Sequence, residues 1–448
     1  MDSSPSRQDP PEPGQSAPTK RSGPLRFLKL LGPGLVTGAA DDDPSGIATY
    51  SQTGAQFGFG QLWTALYQIP LLLAVQEACA RIGAVTGKGL AGVIKDHYSR
   101  VVLIGVVLVV VVANTINVGA DIAAVAEASA LVVPVPRWAL AVLTTAVVLG
   151  LEIFVCYATY AKFLKWLALA LLSYPATALI VKQPWGQILH ATFVPHIEFT
   201  VSFLFIITGV FGTSISPYMF FWQASQEVEE EIARDIPLKP NGKPRLPKRF
   251  ISDMRIDTAT GMIAAEAAQW FIIITTATVL FSHGVKNINT AADAARALEP
   301  LVHSFPNSGL VARSIFAIGI VGLGLLGIPV LAGAAGYALA EAAGWKEGLS
   351  RKWKDARGFY GVIAASTLIG LSMSFVGIDP MKALVYSAVF NGVAAVPLIY
   401  LIARINGNAA ILGKHRGGPL SQVFVWLTFV IMGLSAVALL YTTVSGKS

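Results

Sequence analysis

Long apolar runs alternate with short polar connections along almost the whole chain. Each run approaches the roughly 20 residues that a helix needs to cross a hydrocarbon core. They fall near residues 30–56, 61–83, 101–131, 136–158, 163–182, 199–225, 257–282, 311–343, 359–378, 381–403 and 419–443. This pattern predicts an all-α membrane protein of about eleven transmembrane helices. The spans use nearly all of the sequence, so residues 26–448 are expected to form a single transmembrane domain. Residues 1–25 are rich in Pro, Ser and charge and lack an apolar segment, which predicts a disordered cytosolic tail and not a cleaved signal peptide.

Composition supports a lipid-embedded chain. It is 54% hydrophobic and only 13% charged, where soluble proteins carry about 25% charged residues. A net charge of +7 would by itself admit a nucleic-acid partner, but its distribution argues against one. With the N-terminus placed inside, 26 of the 33 Lys and Arg residues fall in inner segments and 7 in outer ones. This is the positive-inside bias, and it accounts for the basic character without any acidic partner. An odd number of spans then puts the C-terminus outside. The chain is expected to be a multi-pass protein of a bacterial inner (plasma) membrane, with the bilayer and a transported small ion as its partners and no obligatory protein partner evident.

Within the spans, two segments interrupt the apolar pattern. In the first, Gly32-Pro33-Gly34 is followed by Asp41-Asp42-Asp43-Pro44-Ser45-Gly46, which places three carboxylates at mid-span. In the sixth, Thr208-Gly209 leads to Gly212-Thr213-Ser214-Ile215-Ser216-Pro217-Tyr218. Asp43-Pro44 and Ser216-Pro217 both read as an N-cap followed by proline at the first helical position, so each predicts the start of a second half-helix. Two broken helices five spans apart point to an inverted-repeat transporter whose site lies where the half-helices meet. A blander account remains, in which Asp43 and Ser216 merely cap kinked structural helices. Three acids at membrane depth favour a site, because intramembrane carboxylates are costly and mark function.

Together with the second-span exit Ala80-Arg81-Ile82-Gly83-Ala84-Val85-Thr86-Gly87-Lys88-Gly89-Leu90-Ala91, these segments resemble the natural-resistance-associated macrophage protein (NRAMP) transporters over about residues 27–443. The resemblance implies a LeuT-type fold of five-plus-five inverted repeats, with helices 1 and 6 broken and one further helix. Typical members carry Asp-Pro-Gly-Asn in the first span and Met-Pro-His in the sixth. Here the matching residues are Asp43-Pro44-Ser45-Gly46 and Ser216-Pro217-Tyr218, so the aspartate is kept and the asparagine and methionine are lost. Losing a thioether removes the soft ligand that favours transition metals. An all-oxygen site suits magnesium, which keeps much of its water, and the pattern resembles the NRAMP-related magnesium transporter branch.

The resemblance makes Asp43 the metal ligand and adds Ser45, Gly46, Ser216, Tyr218 and Gln223 as substrate-binding candidates. Tyr218 and Gln223 stand where the family has two histidines. The family's third-span acidic pair is reduced to Asp121 followed by Ala124, with Glu127 six residues after Asp121. Asp42, Asp121 and Glu127 are therefore candidates for a relay or vestibule, and transport without tight proton coupling is expected. The leading function is a secondary transporter of Mg2+ or Mn2+ working by alternating access. A small-anion carrier of bicarbonate type, using the half-helix N-termini, and a non-transporting membrane sensor are the alternatives.

Other polar residues have quieter readings. Glu77 and Arg81 are spaced for a structural i,i+4 pair, and Glu152 and Glu266 either line an aqueous path or pair with a neighbouring helix. Asn114, Asn117 and Asn391 are explained by interhelical hydrogen bonds, and Gly322, Gly324 and Gly327 by close helix packing. The acidic run Glu227-Val228-Glu229-Glu230-Glu231 reads as a solvated helix end. Cys79 and Cys156 show no metal-ligand spacing. No nucleophile–base pair, zinc-protease motif or phosphate loop is present, so neither an enzyme nor a cofactor is expected.

Overall fold

The computed structural model describes residues 32–155, 171–240 and 242–445. The predicted tail, Cys156 and much of the fifth span lie outside these residues. The helices are α1 (Pro33–Asp41), α2 (Pro44–Phe57), α3 (Trp63–Thr86), α4 (Leu90–His97), α5 (Arg100–Ala130), α6 (Arg137–Phe154), α7 (Ser173–Ile180), α8 (Trp185–Phe193), α9 (Val201–Ser214) and α10 (Pro217–Ala233). They continue with α11 (Phe250–Val279), α12 (Ala291–Ala295), α13 (Ser308–Ala343), α14 (Arg357–Met373), α15 (Pro380–Asn406), α16 (Ala409–Leu412) and α17 (Pro419–Ser445).

Eight helical segments among the described residues are long and apolar enough to cross a membrane, with α9 and α10 forming one of them. The remaining predicted spans have identifiable reasons for falling short. The first is split into α1 and α2, the ninth is the 17-residue α14, and the fifth is described only from residue 171 onward. The chain is a multi-pass membrane protein of nearly all-helical build.

Burial follows from lipid as the outer solvent. Along α17, Leu420, Val423, Leu427, Val430, Leu434, Val437, Tyr441 and Val444 are exposed. Their spacing of three to four residues marks one helix face, and an apolar stripe of this length suits hydrocarbon and not water. On α5 the first turns expose Val101, Ile104 and Leu108, whereas Asn114, Asn117, Asp121 and Glu127 in its second half are buried. Polar side chains are thus collected inside the bundle, where they can find partners.

The two halves share a packing plan. α3 lies along α10, and α11 lies along α2, which is the correspondence expected if spans 1 and 2 exchange with spans 6 and 7. α5 and α13, the third and eighth spans, pack against each other. α1 sits so close to α11 that a Cβ on Gly38 would lie 2.3 Å from the carbonyl oxygen of Gly261. Only glycine permits that approach.

α11 also satisfies the start of α1. The first amides of a helix lack intrahelical partners, and Gly32 supplies no side-chain cap. The Asp257 carboxylate accepts from the amides of Gly32 at 2.8 Å, Gly34 at 2.7 Å and Leu35 at 3.3 Å. Its negative charge also meets the positive end of the helix dipole.

The acidic run at the end of α10 differs from expectation. Glu227 and Glu231 are buried, and Glu229 accepts from the Tyr337 hydroxyl at 3.2 Å. Packing of this helix end against α3, α4 and α13 removes it from solvent.

Candidate functional site

Both predicted breaks are present, and they meet. α1 ends at Asp41 and α2 begins at Pro44, with Asp43 extended (φ −62°, ψ 174°) at the N-cap. α9 ends at Ser214 and α10 begins at Pro217, with Ser216 extended (φ −105°, ψ 145°). Proline explains both restarts, since it needs no amide partner in the first turn and its ring holds a helical φ.

Asp43 is fully buried. Its Oδ1 accepts from the Gly46 amide at 2.9 Å and the Ser45 hydroxyl at 2.7 Å. Its Oδ2 accepts from Asn117 Nδ2 at 3.2 Å. The Ser387 hydroxyl donates to Asn117 Oδ1 at 2.6 Å, and this contact turns the amide so that its NH2 group faces the carboxylate. Hydrogen bonds of this kind stabilise a charged carboxylate and fix its orientation.

Asp121, close to Asp43, and Ser216 at the second break have unused capacity. Both oxygens of Asp121 and the Ser216 hydroxyl are buried without a hydrogen-bond partner among the described residues. Ser216 therefore occupies an N-cap position without using its side chain as a cap. Gly327 on α13 forms the opposite wall, where a Cβ would lie 3.0 Å from Asp43 Cβ and 3.8 Å from Asp121 Oδ2. Buried oxygens without partners cost free energy, and a bound cation or ordered water would offset that cost.

The two broken helices are also tied to each other. The Tyr218 hydroxyl donates to the Ala40 carbonyl at 3.1 Å, one of the acceptors left free where α1 stops. Ser45 and Thr213 hydroxyls are 3.4 Å apart, and Tyr50 and Ser214 hydroxyls 2.9 Å apart. On the other side of the break, both oxygens of Asp41, Oδ1 of Asp42 and Oε1 of Glu266 are buried and unpartnered among the described residues. With its amide oriented to suit its neighbours, Gln269 donates to Glu266 Oε2 at 3.3 Å and accepts from the Ala65 amide at 3.2 Å.

The structure thus brings Ser45, Gly46 and Asp121 to Asp43 and Tyr218 to the end of α1, with Asp42 next to Asp43 in the break and Ser216 at the break of the sixth span. Gln223 donates to Glu227 at 2.9 Å, and its Oε1 is buried without a hydrogen-bond partner among the described residues. Glu127 lies near the far end of α5, where it accepts from the Ala291 amide at 3.3 Å and sits 3.8 Å from Arg137. Six residues of helix turn it about 240° from Asp121, so it does not stand in for the acid missing at Ala124. Asn117 makes the interhelical hydrogen bonds expected of it, to Asp43 and from Ser387, whereas Ser387 and Thr213 were not singled out by the sequence as neighbours of this break. The place of Asn117 beside Asp43 carried a signal in retrospect, because it lies four residues before Asp121 on the same helix face. Among the described residues no group of three or more His, Cys, Asp or Glu forms a ready metal cluster, so any ion at Asp43 must draw on hydroxyls, carbonyls and water as well.

Relatives bear on this arrangement. A divalent metal cation transporter of Ralstonia nicotianae is 24% identical over 441 residues, covering 94% of this chain and 92% of that protein. Another, from Yersinia pestis, is 25% identical over 446 residues, with 95% and 98% covered. The fold matches a manganese transporter structure from Eremococcus coleocola with a TM-score of 0.74 at 18% identity, over 95% of this chain and 88% of that one. It also matches MhsT, solved with L-phenylalanine, with a TM-score of 0.57 at 12% identity, over 95% and 98%. The sequence pattern of the natural resistance-associated macrophage protein-like (Nramp) family matches residues 34–442, and the chain belongs to that family.

Proposed function

We propose that this protein is a secondary transporter that moves a divalent metal cation across the membrane past Asp43 by alternating access. The observation that carries this reading is the position of Asp43. It is a buried carboxylate at the break of the first span, near the unpartnered oxygens of Asp121 on the third, with the unpartnered Ser216 hydroxyl at the break of the sixth. The divalent metal transporters to which the chain is similar over almost its full length support the cargo class. An anion is disfavoured, because Asp43 and Asp121 would both repel it and neither has a basic partner among the described residues.

The donor set is entirely oxygen, and such a set accepts Mg2+ and Mn2+ with little discrimination. Asp43 supplies the charge, while Ser216, Asp121 and backbone carbonyls at the two breaks complete the shell with retained water. In this mechanism α1 is the inner gate. It is bound to the rest of the protein through Asp257 at its start and Tyr218 at its end, and releasing those contacts opens a path on the side of the basic loops. Without a histidine or a third-span acid pair at the site, transport runs down the cation gradient. The test is uptake into proteoliposomes of Mg2+, Mn2+ and bicarbonate measured separately, with and without a proton gradient. Saturable uptake of both cations, insensitive to the proton gradient, is expected. Bicarbonate flux without cation flux would overturn the assignment.

A further inference from the structure

A cavity of about 400 Å³ opens between α5, α6 and the turn leading into α15. It lies at the end of α5 remote from the basic connection that carries Lys88 and Lys95. Its lining includes Glu127, Arg137, Thr290, Ser374 and Asp379. Glu127 is 3% exposed, and its Oε2, buried in the cavity wall, has no hydrogen-bond partner among the described residues. A carboxylate oxygen held away from water in this way is expensive unless something meets it. The Ser374 hydroxyl in the same wall is likewise unpartnered. Asp379 caps α15 through Oδ1 alone, accepting from Met381 and Lys382 amides at 3.0 and 3.4 Å, so its second oxygen is not committed to the helix.

The local charge favours a cation. Glu127 and Asp379 contribute two negative charges, and the exposed Arg137 contributes one positive charge, 3.8 Å from Glu127 Oε1. Oε1 is also used by the Ala291 amide, which leaves Oε2 for a ligand. Asp293, a further charged neighbour of Glu127, is engaged with Arg296 at 3.6 Å. Two carboxylates and a hydroxyl around a space large enough to keep several waters match the way hard divalent cations are held.

We propose that this cavity binds a divalent cation through Glu127, Asp379 and Ser374, at a site separate from Asp43. Glu127 belongs to no relay in this reading, and its burial is explained by the ion it holds. Arg137 acts as a tethered competitor that weakens the site.

Counting bound Mn2+ by electron paramagnetic resonance on the purified full-length chain in nanodiscs tests this. Two ions per chain are expected for the wild type, and one each for Asp43→Ala and Glu127→Gln. Glu127→Gln keeps the acceptor for Ala291, and Asp379→Asn keeps a capping side chain. Each should weaken the second site at least tenfold, and Arg137→Gln should tighten it about twofold to fivefold. An ion count in Glu127→Gln equal to that of the wild type, or no ion left in Asp43→Ala, would overturn the proposal. If Asp43→Ala binds like the wild type while Glu127→Gln loses one ion, this site stands and the assignment of Asp43 falls.

Discussion

At the residue scale, the orientation of Asn117 is the least obvious contribution to the site. Its amide donates to Asp43 while the Ser387 hydroxyl donates to its carbonyl, which favours this orientation. Ser387→Ala frees that amide to turn and leaves a buried carbonyl unpaired, a cost of about 1–3 kcal/mol. Saturation curves of Mn2+ uptake should show an apparent affinity lowered about fivefold or more, with Asn117→Ala at least as severe. Unchanged curves for both variants would remove Asn117 from the site. The aspartate itself was readable from Asp43-Pro44, because capping chemistry is local. The bonds of Asn117 and Ser387 were not, because Asn117 reaches Asp43 across 74 residues of sequence and Ser387 reaches Asn117 across 270.

Outside the spans, burial beside Glu341 and Glu229 pushes the Glu347 carboxyl up to about 9. Its neutral form is therefore favoured in the folded protein. The stability this contributes is complete below the ordinary carboxylate pKa and is lost as pH rises through about 9. Glu347→Gln mimics the protonated form. It should leave the thermal unfolding temperature in nanodiscs unchanged near pH 5 and raise it at pH 9.5, and an equal shift at both pH values would contradict this account.

At the scale of elements, α1 is short and lacks a cap of its own, and its position depends on α11. Asp257 supplies three hydrogen bonds to its first amides, and Gly38 against Gly261 sets the distance. Asp257→Ala should loosen α1, which a cysteine placed at Val36 would report as faster labelling from the side of the basic loops. Gly38→Ala should act in the same direction and more strongly, because its Cβ meets backbone that cannot turn aside. Labelling rates equal to the parent in both variants would mean that α1 is held by other contacts. The existence and breaks of these helices were legible from Pro and Gly punctuation. The cap from Asp257 was not, since a carboxylate 225 residues from the amide it caps leaves no local signature. The burial of Glu227 and Glu231 was likewise hidden, because a charged run looks solvated until the helices that cover it are placed.

At the scale of the whole molecule, eleven apolar runs, the polar interior of α5 and the exposed apolar stripe of α17 all answer to one solvent, the hydrocarbon core. Among the described residues, the buried oxygens without partners include Asp121 and Ser216 at the paired helix breaks and Oε2 of Glu127 beside the cavity. An oxygen-only site at the helix breaks should carry Mg2+ and Mn2+ at comparable rates, so a tenfold excess of Mg2+ should suppress Mn2+ uptake by roughly the factor its concentration predicts. Mn2+ uptake indifferent to Mg2+ would show a selectivity that these ligands do not explain.

Whether the ion passes Asp43 is tested most directly by Mn2+ and Mg2+ flux into proteoliposomes containing the wild type or Asp43→Ala, at matched protein content and with folding checked by size exclusion. Saturable uptake of both ions by the wild type, reduced at least a hundredfold in the variant, is the predicted result. Uptake by Asp43→Ala equal to that of the wild type would show that the ion does not pass through the break at Asp43.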